Sequence, residues 1–97
     1  MEIKPDCIFF YQNYPNPFNL ETLISYEVPK RSQVVLKVMN LLGQEVLTLV
    51  NEDKPAGFYK VSWDGKNHHG QMVASGVYLY RLESNDFVQT RKMVFLQ

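Results

Sequence analysis

Apolar side chains in this sequence fall at every second position, and turn-forming residues interrupt the pattern at intervals of about eight to twelve. Successive side chains of a strand point to opposite faces, so each such run can bury one face only. Thr22, Ile24, Tyr26 and Val28 share a face opposite Leu23, Ser25 and Glu27. Val34, Leu36 and Val38 stand opposite Val35, Lys37 and Met39, and Tyr59, Val61 and Trp63 opposite Phe58, Lys60 and Ser62. Tyr78, Tyr80 and Leu82 oppose Val77, Leu79, Arg81 and Glu83. Further strands are expected over 45–50, over Phe87 to Leu96, and in shorter form around residues 8–12.

The interruptions carry turn chemistry. Pro29 has no amide hydrogen and stops the first long run. Gly43 takes the left-handed position in Leu41-Leu42-Gly43-Gln44, and Lys54-Pro55-Ala56-Gly57 and Ser84-Asn85-Asp86 are the next turns. No segment carries apolar residues at spacings of three and four over a helix's length. Residues 38–50 hold good helix formers, but Gly43 and the β-branched flanks favour a hairpin. The expected fold is all-β: an immunoglobulin-like β-sandwich of about seven mainly antiparallel strands, in one domain over residues 1–97 with 1–6 as a linker. The Cys–Trp–Cys pattern of antibody domains is absent, so that likeness concerns architecture alone.

Ten Lys plus Arg balance ten Asp plus Glu, leaving none of the basic footprint of a nucleic-acid binder. The lone Cys7 cannot form an internal disulfide and is expected as a small core hydrophobe. No apolar run reaches the roughly 20 residues of a membrane span, so membrane insertion is not expected. The N-terminal residues lack the pattern of a signal peptide, and the chain is read as a piece of a longer protein.

Chemistry-bearing groups are sparse. His68 and His69 lie in a polar turn without a paired nucleophile, so no catalytic residue is assigned. No His/Cys pairs have metal-ligand spacing, and no glycine-rich phosphate loop occurs; neither a metal nor a cofactor is expected. Asp64-Gly65-Lys66-Asn67-His68-His69-Gly70 loosely resembles a calcium loop, but Asp64 is its one carboxylate. It reads better as a connection in which Asp64 and Asn67 accept from nearby backbone amides. Tyr14-Pro15-Asn16-Pro17-Phe18-Asn19 should be a stiff sheet-to-sheet crossover pinned by Tyr14 and Phe18. An aromatic platform could bind sugars, yet Tyr59, Trp63, Tyr78 and Tyr80 occupy the apolar faces, where core packing is the simpler role.

The serial motifs resemble those of a known family. Gln12-Asn-Tyr-Pro-Asn-Pro-Phe-Asn19 with Thr22-Leu-Ile-Ser-Tyr26 resembles the opening of type A C-terminal sorting domains of the type IX (Por) secretion system. The likeness continues through Val38 to Val46, Ala56-Gly-Phe-Tyr59, Trp63-Asp-Gly65, Gly70-Gln71, Ala74 to Tyr78, Tyr80-Arg-Leu82 and Arg91 to Val94. The Trp-Asp-Gly to Gly-Val-Tyr region also resembles the immunoglobulin-like domain of flagellar hook-capping proteins, where the module is structural.

The sorting resemblance implies a non-catalytic address at the end of a larger secreted cargo. Its partners would be the outer-membrane translocon and a surface sortase, and its destination, after the periplasm, the cell surface or medium. Motif positions carried over as recognition residues are Gly57, Tyr59, Gly76, Tyr78, Lys92 and Val94. The chain departs from the family pattern at Leu20 (usually Pro), at Glu21 (usually Ser or Thr) and in ending Phe95-Leu96-Gln97 instead of on a basic residue. The terminal Met93-Val94-Phe95-Leu96 is expected to offer an exposed edge for strand addition. Arg91 and Lys92 would be either receptor contacts or charges that deter edge pairing.

Overall fold

The computed structural model describes residues 8–97, so Cys7 and the expected linker 1–6 lie outside the described residues. Seven strands form: β1 Phe9–Phe10, β2 Thr22–Val28, β3 Ser32–Met39, β4 Glu45–Lys54, β5 Gly57–Trp63, β6 Gly76–Ser84 and β7 Phe87–Phe95. One sheet has the order β1-β2-β5, the other β4-β3-β6-β7, and every neighbouring pair of these strands is antiparallel. The sheets pack face to face as the alternating pattern requires.

The inward faces are those the period-two pattern marks. Ile24, Tyr26 and Val28 of β2 meet Val34, Leu36 and Val38 of β3 and Tyr80, Leu82, Met93 and Phe95 of the β6–β7 hairpin in one buried cluster. Trp63, Tyr78 and Tyr80 are buried and Tyr59 packs half-buried against the cluster, so these four rings form no surface platform. The phenol of Tyr26 is pushed up to about 12, first by burial and then by Tyr59 and Glu52.

Three local expectations are corrected. β4 does not stop at Val50 but continues through Asn51-Glu52-Asp53-Lys54, pairing with Val35 back to Ser32. As an outermost strand it tolerates this polar end: Arg31 pairs Asp53 at 2.7 Å, Lys54 pairs Glu52 at 3.0 Å, and Gln33 donates to Asn51 at 2.9 Å. β3 breaks strict alternation at its end, where Val38 and Met39 are both buried and β4 carries an extra residue, Val46, between their partners Leu47 and Glu45. β1 is shorter than expected, because its regular ladder with β2 ends at Phe10 and the chain then departs, held to β2 only by isolated bonds at Tyr11 and Tyr14.

That departure is the expected crossover. Tyr11 and Tyr14 still bond backbone to backbone with Ser25 and Leu23 of β2, whereas Phe18 pairs in parallel with Phe95 of β7. Residues 12–18 therefore pass from one sheet to the other along the open side of the sandwich; both X–Pro bonds in this stretch are cis. Phe18 pins the crossover at 3% exposure, but Tyr14 does not: its ring is 78% exposed, and its anchor is the backbone bridge to Leu23.

Candidate recognition pole

Trp63 opposite Thr22, Met39 opposite Leu79, and Phe95 opposite Gly76 bring the long connections to one end of the sandwich. These are the 12–21 crossover, the 40–44 turn, the 64–75 loop and the C-terminal residues. Four rings fill the space beneath them: Phe18 lies 5.0 Å from Phe95 and 5.7 Å from Trp63, and Trp63 lies 5.5 Å from Tyr78. Gly65 admits the Phe95 ring; a Cβ there would stand 2.5 Å from it. The Trp63 indole donates to the Lys66 carbonyl at 2.9 Å, and Val73 bonds back to Gly65. Three motif segments separated in the sequence thus share one packing centre with Phe95.

Polar groups tie the crossover to the second sheet. The Tyr80 hydroxyl accepts from the Asn13 amide at 2.8 Å and donates to the Tyr11 carbonyl at 3.2 Å. Burial raises the Tyr80 phenol above its ordinary value, an effect opposed by the Asn13 bond and the Arg91 charge. Asn13, itself buried, donates to the Thr22 hydroxyl at 2.9 Å. Gln12 donates to the Lys92 carbonyl at 2.8 Å, and Asn16 accepts from the Val94 amide at 2.9 Å. Phe18 accepts from Leu96 and donates to Val94 through its own backbone. The expectation of an open edge at Met93–Leu96 is therefore corrected: side chains and backbone of the crossover already occupy it.

The carried-over motif residues fall in two places. Gly76, Tyr78, Lys92 and Val94 lie together on the β6–β7 hairpin, with Tyr78 opposite Met93 and Val77 opposite Val94. Gly57 and Tyr59 lie at the other end, where Gly57 pairs with Val28. Both Gly-x-Tyr motifs open a strand and build the same device. The Tyr59 hydroxyl donates to the Pro55 carbonyl and the Tyr78 hydroxyl to the Ala74 carbonyl, each at 2.6 Å and four residues back. These are tyrosine corners, which fold the incoming loop against the strand it feeds. Lys92 alone of the six carries a charge, and it is exposed.

The 64–71 loop is built on Asx turns as expected. Asp64 accepts from Lys66 at 3.3 Å, and Asn67 accepts from His69 at 2.9 Å and Gln71 at 3.0 Å. His68 bonds to the Val46 carbonyl and lies against His69 with ring centroids 4.0 Å apart and the planes tilted by 40°, both rings exposed.

Two surface features escape sequence reasoning. Exposed Tyr14, Leu20, Leu41, Leu42, Met72 and Leu96 all cap this same pole, whereas the turns at the other pole carry Lys30, Arg31, Pro55, Asn85 and Asp86. Leu42 is 83% exposed on a turn that Asn40 braces by accepting from Leu42 and Gln44 and donating to the Gln44 side chain. Such bracing presents the leucines and does not bury them. The second feature is a strip of exposed rings on the outer face of the three-stranded sheet, with Tyr11 between Phe9 and Phe58 at 6.5 and 6.1 Å. Alternation predicts outward positions there, but only strand order brings the rings together.

The architecture and its two tyrosine corners define an immunoglobulin-like β-sandwich module. The chain belongs to the FlgD Ig-like domain family, whose model matches residues 19–86. Its fold is shared with part of dimeric latent PorU from Porphyromonas gingivalis, at a TM-score of 0.74 and 22% identity, covering 97% of this chain and 10% of that one. It is shared likewise with part of PorZ, an essential surface component of the type IX secretion system of the same organism, at a TM-score of 0.62 and 18% identity over 91% of this chain and 11% of that one. The chain therefore spans about a tenth of the length of these structures. No curated protein sequence matches it.

Proposed function

We propose that the domain is a non-catalytic address, read by the type IX translocon, that directs a larger cargo to the cell surface or medium. The observation that carries this reading is the convergence of the sorting-type motifs other than Ala56–Tyr59 on one pole, around Phe18, Trp63, Tyr78 and Phe95. The family match over 19–86 includes neither the 12–18 crossover nor β7, the two segments that bond to each other there. These are the segments in which the sorting resemblance goes beyond a general immunoglobulin-like module. PorU and PorZ, which share the fold, support the same direction. In this reading Lys92 and the exposed leucines of the pole are the contacts. Val94, Gly76 and Tyr78 hold the hairpin that displays Lys92, and Gly57 with Tyr59 sets the far corner.

The test fuses residues 1–97 behind a periplasm-targeted reporter in a type IX-competent cell and in a translocon-deficient sister strain. The reporter should reach the surface or medium in the first only, and Lys92→Glu should cut export at unchanged reporter level. A reporter that stays periplasmic in competent cells, or that leaves equally well without residues 93–97, rejects the proposal. The family match favours a second reading, a structural module inside a larger surface or hook-capping assembly. It predicts that the fusion remains where the reporter's own leader delivers it.

A further inference from the structure

We propose that residues Gln12–Phe18 form an edge cap that keeps β7 from pairing with β7 of a second copy of this chain. β7 is the last strand of its sheet, and a bare edge presents unpaired amides and carbonyls to any other strand. Antiparallel pairing with β6 turns the peptide groups of alternate residues outward. The bonds from the crossover to Lys92 and Val94 identify that set as Val88, Thr90, Lys92 and Val94.

The crossover satisfies the C-terminal part of this edge in full. Gln12 takes the Lys92 carbonyl, the Asn16 carboxamide stands in for a partner strand's carbonyl at the Val94 amide, and Phe18 takes the Val94 carbonyl and the Leu96 amide. It offers no new edge in exchange, because Pro15 and Pro17 have no amide hydrogen. Asn13 and Phe18, both buried, anchor the cap on either side of its exposed Tyr14-to-Pro17 stretch. A second deterrent is Arg91, which points inward and donates through Nε to the Phe10 carbonyl at 3.0 Å, as inward charges on edge strands do.

The chemistry of the strand favours a like strand as the partner to be excluded. A two-fold axis at Thr90 would set Thr90 against Thr90, Lys92 against Val88 and Arg91 against Gln89, opposing no like charges. That register needs the Lys92 carbonyl, which Gln12 holds. With the cap in place only Val88 and Thr90 keep both outward groups free among the described residues, too short a stretch for stable pairing.

The experiment needs no translocon, so it stands or falls apart from the address reading. In the Gln12→Ala/Asn16→Ala variant, hydrogen exchange at the Val94 amide should accelerate roughly three- to tenfold, the worth of one hydrogen bond. Sedimentation velocity should show a concentration-dependent dimer where the unaltered chain is monomeric. Adding Thr90→Pro should restore the monomer, since the Thr90 amide points away from β6 and its loss spares the ladder. Asn16→Asp, which keeps an acceptor for the Val94 amide, should remain monomeric. Unchanged Val94 exchange, a double variant that stays monomeric, or a dimer that survives Thr90→Pro would each overturn the proposal. Phe18→Ala opens the same edge but removes core packing, so the surface variants decide.

Discussion

Gly65 and Gly43 both adopt left-handed backbone, at φ +80° and +83°, yet their surroundings differ. A Cβ at Gly43 meets open space, whereas at Gly65 it meets the Phe95 ring, which Phe18 and Trp63 hold from the other sides. Gly43→Ala should cost only backbone strain, about 1 kcal/mol. Gly65→Ala adds overpacking beneath the pole and should cost about 2–4 kcal/mol in all. Urea midpoints of the two variants check the difference; equal losses would show that Phe95 yields freely.

At the scale of elements, the β3–β4 hairpin separates bracing from display. Its turn is held by Asn40, whose side chain makes three hydrogen bonds while Leu41 and Leu42 stand in water. Asn40→Ala should lower stability by about 1 kcal/mol. Leu42→Ser should leave it unchanged or slightly higher, because the side chain touches little in the folded state. Thermal melts of the pair test this, and a large loss in Leu42→Ser would show that the leucine packs in solution. The tyrosine corners make a related point: one Gly-x-Tyr device serves opposite ends of the sandwich, so its recurrence reflects folding at both places.

Across the whole molecule, stability should depend on alkaline pH through buried phenols. Tyr26 rises to about 12, and burial raises Tyr78 and Tyr80 as well. Each phenol is neutral when protonated, so the folded state holds its proton more tightly than the unfolded chain, where tyrosine titrates near 10. This stability is present in full below about pH 10 and is lost as pH climbs through the folded values. For Tyr26 alone the loss approaches about 2–3 kcal/mol above pH 12. Denaturant midpoints should fall from about pH 10 upward, with tyrosinate absorbance rising on unfolding. Tyr26→Phe should flatten the fall; an equally steep one would place the dependence elsewhere.

Alternation alone determined the number of strands and which faces go inward: Thr22, Ile24, Tyr26 and Val28 are buried as the period-two pattern requires. Turn chemistry placed Gly43 and the Asx loop around Asn67, because these rest on contacts within a few residues. The polar end of β4 was illegible, since strand there depends on a partner and not on hydrophobicity. The crossover was half legible. Its two prolines announced a stiff passage between sheets, but only tertiary structure decided that Phe18 would be buried and Tyr14 exposed. The same holds for the gathering of Phe18, Trp63, Tyr78 and Phe95 at one pole and for the closed edge of β7. Lys92, Val94 and Leu96 carry no local sign that Gln12, Asn16 and Phe18 will bond to them, because those hydrogen bonds join the two ends of the chain and exist only once both sheets have assembled.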